Sequence, residues 1–597
     1  MAPQLLNLRH HSIRSRILFP ESARHLRPVA LLLVGLTACK DKPEVPLGAA
    51  FPDSMRVAVL GAAPATLASR WTLIRDIYRE REYRPLWLVQ GRPGPRAQQL
   101  AAALCAAESQ GLRRGSYDLP GLIATLSQVV DSGRPTYARL VGAELRMTSL
   151  FLDYGTQLFQ GQDPATVDTA WMIPAKRAST DSVLRLAMKG GTFGEMVAPL
   201  IPSQPQYADL VKALAEYRSI ADRGGWDSVP PPANPKLKPG DRDSSLIALR
   251  RRLRVTGELA DSTTTDSTAT DSTLYDATLA AAVARFQVSH GIEPDSVIGK
   301  GTLAALNVPV TRRLREIELN MERLRWLAHD FGDRYILVNI PDFHLYAYDS
   351  GRLALTMRVV VGKDYKNPTP VFSDTIAYVV FRPYWNVPRR IINEEILPAQ
   401  KKDTAYLNQH QYEVLKGTTL VDPATIDWAK ADTLNFRYLI RQKPGGQNSL
   451  GHIKFMLPNQ YDVYLHDTPS QGVFRRAGRN ASHGCIRVEK PQQLAEYAMV
   501  GVPKWDKQKI RDAMRDTTPP EEVHLVHRVP VYIVYLTAFV ENGVVQFRND
   551  LYGNDDRAIT RLEAVRPDST PTGMSRCEEL MRLVGGAEPA AVPTASQ

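Results

Sequence analysis

Ser482-His483-Gly484-Cys485-Ile486-Arg487-Val488, together with the upstream Tyr464-Leu465-His466-Asp467-Thr468-Pro469, is the stretch on which the reading of this chain turns. A cysteine stands between a glycine and an apolar residue. One histidine lies two positions before it and another nineteen before it. A free thiol, with a pKa of about 8.5, is mostly protonated at neutral pH, so it needs a nearby base to act as a nucleophile. A strand carrying His466 and a turn carrying Cys485 would supply that pair. On these residues alone, an inert buried cysteine near two ordinary histidines carries about equal weight.

The wider pattern resembles the L,D-transpeptidase catalytic domain: a histidine, a gap of under twenty residues, then Ser-His-Gly-Cys, an apolar residue and Arg or Asn. The similarity is greatest to the large, multidomain periplasmic enzymes of Gram-negative bacteria. Other pieces that carry it are Pro383-Tyr384-Trp385-Asn386-Val387-Pro388, Arg441-Gln442-Lys443-Pro444-Gly445, Leu450-Gly451-His452-Ile453-Lys454-Phe455 and Phe547-Arg548-Asn549-Asp550-Leu551-Tyr552-Gly553. The likeness extends over roughly residues 70 to 556.

The resemblance implies roles. Cys485 is the nucleophile and His466 its base, with the backbone carbonyl of Asp467 as third member. N–H groups around Gly484 and Cys485 would hold the oxyanion, because glycine lets the backbone approach closely. His483 is a structural or substrate-orienting residue rather than the base. Ser482 holds the histidine or the turn. Arg487 meets a substrate carboxylate through its planar fork, or else makes a structural salt bridge. Tyr384, Trp385 and Asn386 line a donor groove, with core packing as the other reading of Trp385. The implied reaction joins two peptidoglycan stem peptides, donor and acceptor, through a thioester. Hydrolysis of that thioester (an L,D-carboxypeptidase) and a non-catalytic, lipid-anchored wall-binding protein remain open. Carbapenems would acylate the same cysteine. No cofactor is implied, and the remaining histidines lack metal-ligand spacing.

Composition bounds the rest. At 597 residues the chain holds several domains. Net charge is +11, without the basic runs and interleaved aromatics that nucleic-acid binding calls for. Residues 1–38 read as a leader: Arg14, Arg16, Arg24 and Arg27 precede Val29-Ala30-Leu31-Leu32-Leu33-Val34-Gly35-Leu36, too short a run to span a bilayer. Leu36-Thr37-Ala38-Cys39 resembles the lipoprotein box, which implies lipid on Cys39, a membrane anchor and a periplasm-facing location in the cell envelope. Of the other cysteines, Cys105 sits in an Ala-rich helical run and reads as a small buried hydrophobe, while Cys577 lies in a polar tail. A disulfide between them is the less favoured reading.

The expected fold class is multidomain α+β. Residues 39–55 form a tether and 56–235 a helical scaffold domain, followed by a Pro-rich linker. Residues 241–310 resemble a small three-helix peptidoglycan-binding domain, interrupted by the polar, β-branched segment 261–273, read as a surface loop. Residues 311–328 read as an amphipathic connecting helix. Residues 333–556 are a mostly antiparallel β catalytic domain with a lid insertion over about 390–440, and 557–597 a disordered tail.

Overall fold

The computed structural model describes residues 48, 50–131, 135–174, 179–260, 271–364, 366–432, 435–515, 517–565 and 572–585. The leader, Cys39, residues 261–270 and residues 586–597 lie outside the described residues.

The domain over residues 333–556 is built on one sheet, in which strands such as His344–Asp349 and Glu521–Val534 alternate buried and outward residues while the ends of Arg334–Asn339 and Arg352–Gly362 are buried throughout. Its strands, in chain order, are β1 (Arg334–Asn339), β2 (His344–Asp349), β3 (Arg352–Gly362), β4 (Ser373–Phe381), β5 (Ile453–Met456), β6 (Leu465–His466), β7 (Asn480–Ser482), β8 (Ile486–Val488) and β9 (Glu521–Val534). The order across the sheet is β7-β3-β8-β6-β5-β4-β9-β1-β2, and β2 pairs again with β3, so the sheet closes on itself. Only three of its pairings are parallel, β6 with β8, β7 with β3 and β9 with β1. Val338, Val359, Val379, Phe455, Leu465, Ile486 and Ile533 fill its interior.

The lid lies between β4 and β5. A short helix enters a π-helical turn, Ile392–Ile396, and continues into Leu397–Lys402. A separate four-stranded sheet follows, made from Trp385–Asn386, Leu439–Gln442, Tyr412–Lys416 and Thr419–Val421. Ile391, Ile392, Ile396, Leu397, Trp428 and Phe436 give the lid its own core, so it is a packed subdomain rather than a loose loop.

The scaffold is helical, as expected for residues 56–235, and buries Ile74, Ile77, Tyr78, Val141, Leu145, Thr148 and Leu152. Its first helix begins at Ala50, inside the segment read as a tether, because Phe51, Met55 and Val59 are needed by its core. Three helices, Ser245–Val255, Ala277–Ser289 and Lys300–Leu306, make the small domain that follows.

The connecting helix, Val310–Trp326, departs from the amphipathic reading. From Ile317 onward its charged residues are buried and ion-paired instead of facing water. Arg323 bridges Asp168 at 2.8 Å and Asp555 at 2.7 Å, Arg325 meets Glu322 at 2.7 Å, and Arg113 meets Glu318 at 2.9 Å. Charges buried this deeply persist only when paired.

Asp555 lies just before residue 557, where disorder was expected to begin. The chain there forms two helices, Asn554–Val565 and Thr572–Val584. The first supplies the counter-charge to Arg323. The second buries Leu580, Met581, Leu583 and Val584 in the scaffold core. Cys577 on that helix is joined to Cys105 by a disulfide, so Cys105 is a cross-link and not merely a small apolar residue. The polar composition of this tail hid an amphipathic pattern short enough to pass for linker. Reducing or replacing the pair (Cys105→Ser with Cys577→Ser) is expected to cost about 2–5 kcal/mol and to expose the terminal helix first. Limited proteolysis followed by mass analysis checks it; an unchanged cleavage pattern would show that packing alone holds the helix.

Candidate active site

Strand pairing removes the sequence distance between the two key residues. β6 and β8 run parallel with Leu465 opposite Ile486 and His466 opposite Arg487, and Ile486 N–H donates to the Tyr464 carbonyl at 3.1 Å. Leu465 and Ile486 point into the core and are fully buried. Because side chains alternate along a strand, Tyr464, His466, Cys485 and Arg487 share the other face. All four line one cavity of about 930 Å³ between the sheet and the lid.

His466 is buried, and its Nδ1 lies 2.5 Å from the carbonyl of Asp467. That contact places the ring proton on Nδ1 and leaves Nε2 as the basic nitrogen. Burial, and then the charge of Arg487, push its pKa down to about 4 against the pull of the Asp467 carbonyl. The imidazole is therefore neutral at physiological pH. Burial also raises the Cys485 thiol, opposed by hydrogen bonds from Tyr464 and by the Arg487 charge. The resting pair is thus a neutral thiol and a neutral imidazole.

Asp467 acts through its backbone at the site. Its carboxylate serves the neighbouring turns: Oδ2 accepts from His452 N–H at 2.9 Å and Oδ1 from Thr468 N–H at 2.7 Å. Gly451 sits at φ +61°, where a Cβ would fall 2.3 Å from Asp467 Oδ2, which accounts for glycine in Leu450-Gly451-His452.

The turn carrying Cys485 is tied on both sides. Ser482 Oγ donates to the Cys485 carbonyl at 2.6 Å and accepts from Gly484 N–H at 3.1 Å. Ser482 thus holds the turn, and the Gly484 N–H, expected among the oxyanion donors, is already spent. Gly484 takes φ +119°, a conformation that disfavours side chains. Its carbonyl accepts from Thr369 Oγ1 at 2.7 Å. That hydroxyl in turn accepts from Gly362 N–H at 2.9 Å, and Tyr552 OH donates to the Gly362 carbonyl at 2.8 Å. Thr369 escaped the sequence reading, and Tyr552 entered it only as part of a quoted motif with no role, because both are distant in the chain and carry no nucleophilic signature. Thr369→Val should lower kcat about 10- to 100-fold with little change in KM, since small misplacements of a reacting group are costly, and Thr369→Ser should restore it. Equal loss in both variants would point to packing instead.

His483 pairs with the lid: its Nε2 lies 2.7 Å from Oε1 of Glu395 in the π-helical turn. Arg487 is half-buried with its Nε buried and without a hydrogen-bond partner among the described residues. Of the three residues expected in a donor groove, Trp385 lines the cavity. Tyr384 and Asn386 do not. The Tyr384 ring lies under the guanidinium of Arg441 at 4.2 Å, and exposed Asn386 pairs with Arg441 in the lid sheet. Strand alternation turns them away from Trp385. Missed by sequence are Tyr464, whose hydroxyl is pushed well above its ordinary range by burial and then by the neighbouring Cys485, and the charged lining residues Lys366, Arg390 and Glu395. Alternation about His466 was the available signal for Tyr464. Among the described residues no cluster of His, Cys, Asp and Glu could hold a metal ion.

Comparison with known proteins agrees with this geometry. The L,D-transpeptidase catalytic domain family matches residues 333–506, the Scaffold domain family residues 72–214, and a family described as "Putative peptidoglycan binding domain" residues 242–306. The sheet-and-lid module thus matches the L,D-transpeptidase catalytic domain family, and the segments before it match scaffold and peptidoglycan-binding-type families. A curated protein of Haemophilus influenzae named "Putative L,D-transpeptidase" is 39% identical over 244 residues, 40% of this chain and 48% of that protein. The match spans about half of that relative. A crystal structure of an L,D-transpeptidase from Xylanimonas cellulosilytica aligns at 14% identity over 51% of this chain and all of its own, with a TM-score of 0.16, too slight a likeness to carry an argument.

Proposed function

We propose that this chain is a cysteine-dependent L,D-transpeptidase that forms 3-3 cross-links between peptidoglycan stem peptides. The reading rests on one observation above all: Cys485 and His466 line a single cavity, with the imidazole tautomer set by the Asp467 carbonyl. His466 Nε2 takes the thiol proton as sulfur attacks the carbonyl of the third stem residue. The C–N bond to the terminal D-alanine breaks, and His466 returns the proton to the leaving amine. A thioester remains on Cys485. The side-chain amine of a second stem peptide attacks it, gives a proton to His466, and expels the thiolate, which recovers that proton. Arg487 is suited to a substrate carboxylate, given its unpartnered buried Nε.

Incubating the purified protein with a disaccharide-tetrapeptide and resolving the products by mass spectrometry tests the reading. Dimers linked through two third-position residues are expected. Free tripeptide with no dimer would assign an L,D-carboxypeptidase, and no turnover a wall-binding protein without catalysis. We further infer export: the Cys105–Cys577 disulfide suits an oxidising compartment, as does the Leu36-Thr37-Ala38-Cys39 box. Cys39→Ser should move the protein out of the membrane fraction; retention there would discard the lipid anchor.

A further inference from the structure

The lid gives the catalytic cavity two opposite charges that the reaction scheme above does not use. Arg390 and Glu395 both line the cavity. Their alignment comes from the π-helical turn Ile392–Ile396. In an α-helix, residues five apart stand about 140° apart around the axis. A π-turn closes i→i+5 hydrogen bonds, so it brings positions five apart close to one line, and such turns recur at functional sites. Glu394, which an unbroken α-helix would set over Arg390, lies 4.0 Å from its Nε, yet Glu395 is the one that reaches the cavity wall.

Glu395 is held in place without being saturated. His483 Nε2, on the turn carrying Cys485, lies 2.7 Å from its Oε1. An ionised carboxylate can accept about four hydrogen bonds, so Oε2 can take a second donor. Tyr406 and Tyr412 line the same wall with their rings stacked, 6.2 Å between centroids at 20°. Burial raises both phenols, and the charge of Glu395 is a further cause in each, which sets the carboxylate beside the rings. A carboxylate next to aromatic faces favours an ammonium ion.

Arg390 offers the complementary half. Its Nη1 donates to the Lys366 carbonyl at 3.3 Å, and its Nη2 has no hydrogen-bond partner among the described residues. Lys366 lines the cavity as well, so this end is cationic. A guanidinium fork recognises a carboxylate.

We propose that Arg390 and Glu395 select the acceptor peptide: Glu395 binds its side-chain ammonium, and Arg390 binds a carboxylate carried on the same carbon. The acceptor's third residue is then a diamino dicarboxylic acid rather than a simple diamine such as lysine. The proposal deepens the transpeptidase reading and rests on it. Place assigns the pair to the acceptor and not to the donor. Cys485, His466 and Arg487 stand on the sheet face, so the thioester occupies that wall and the second peptide meets it from the lid. Glu395 is tied to His483, two residues before Cys485, which spans at most about 7 Å of chain. The bound ammonium releases one proton to water at the cavity rim, where the Glu395 side chain is 51% exposed. The C–N bond then forms as the C–S bond breaks, in the step already given.

The test uses the full-length protein, a disaccharide-tetrapeptide donor and a labelled tripeptide acceptor, which has no terminal residue to lose and so cannot itself acylate the cysteine. Intact-protein mass spectrometry reads thioester formation, and product analysis reads its partition between dimer and free tripeptide. Glu395→Gln keeps an oxygen for His483 and removes the charge. It should cut the dimer-to-hydrolysis ratio at least tenfold more than it slows thioester formation, by raising the KM for acceptor. Wild type should prefer the acceptor with a free carboxylate over its carboxamide by at least tenfold, and Arg390→Gln should abolish that preference. A loss confined to thioester formation would move the pair to the donor side and overturn the proposal. So would an equal loss of dimer in His483→Ala with acceptor preference intact, which would make the contact a lid latch only. Titration calorimetry of the tripeptide into Cys485→Ala gives a readout free of turnover: adding Glu395→Gln or Arg390→Gln should weaken binding at least tenfold. Unchanged binding in both would overturn the site. Failure of the wild type to form a thioester, with tripeptide binding still dependent on Glu395 and Arg390, would sink the transpeptidase reading and leave the peptide site standing.

Discussion

Exposure to a carbapenem should add the whole mass of the drug to this protein, on Cys485 alone, and Cys485→Ala should gain none. The strained β-lactam carbonyl is an electrophile that can enter where a stem-peptide carbonyl would sit, and ring opening leaves every atom attached. Selectivity follows from the surroundings of each thiol. Among the described residues Cys485 is the one free cysteine, because Cys105 and Cys577 are joined. It alone shares a cavity with a histidine whose tautomer is fixed for proton acceptance. Stem-peptide turnover by Cys485→Ala should fall on the order of 10⁴-fold or more, the usual consequence of deleting a nucleophile. Intact-protein mass spectrometry of both forms reads the first outcome and product analysis the second. An adduct that survives in the alanine variant would place the nucleophile elsewhere and remove the mechanism.

What the sequence disclosed, and what it withheld, follows from the range of the interactions concerned. The β1–β3 segments were legible because strands announce themselves within six to eleven residues. Cys485 and His466, which share one cavity, and the Asp467 carbonyl beside the imidazole were singled out through a resemblance carried by a compact string. The links holding Gly484 were not: Thr369 and Tyr552 lie 115 and 183–190 residues from the groups they bond, and no local pattern encodes such a pairing. The connecting helix misled for a related reason. Its charges read as a solvent face, yet they are paired within the helix, as Arg325 with Glu322, or with remote residues, as Arg323 with Asp168 and Asp555. The tail misled because helix Thr572–Val584 is stable only against the scaffold core and the Cys105 bridge. Tyr384 and Asn386 were placed in the groove by adjacency to Trp385, where strand alternation forbids three neighbours to face one cavity.

The second large effect is expected at the base, and its signature is a pH profile. His466→Ala should slow acylation of Cys485 about 10²- to 10⁴-fold at neutral pH, the range general-base catalysis supplies. In wild type the rate should climb through pH 4 and level off by about pH 5–6, because His466 loses its proton near 4 and not near 6.5. The variant has only its own thiolate. Its rate should rise about tenfold per pH unit until it reaches a thiol pKa that burial holds above the ordinary value. The same lowered pKa has a consequence for stability. The unfolded chain takes up this proton at higher pH than the folded one, so acidification favours unfolding. The contribution is whole above about pH 6.5 and is lost as pH falls to about 4, amounting to about 3 kcal/mol. Arg487, next after burial among the causes, should be separable: Arg487→Gln should move the wild-type inflection upward. An inflection that stays near 6.5 in wild type, with no change in His466→Ala, would mean that another group takes the thiol proton, and the juxtaposition of His466 with Cys485 would then be structural only.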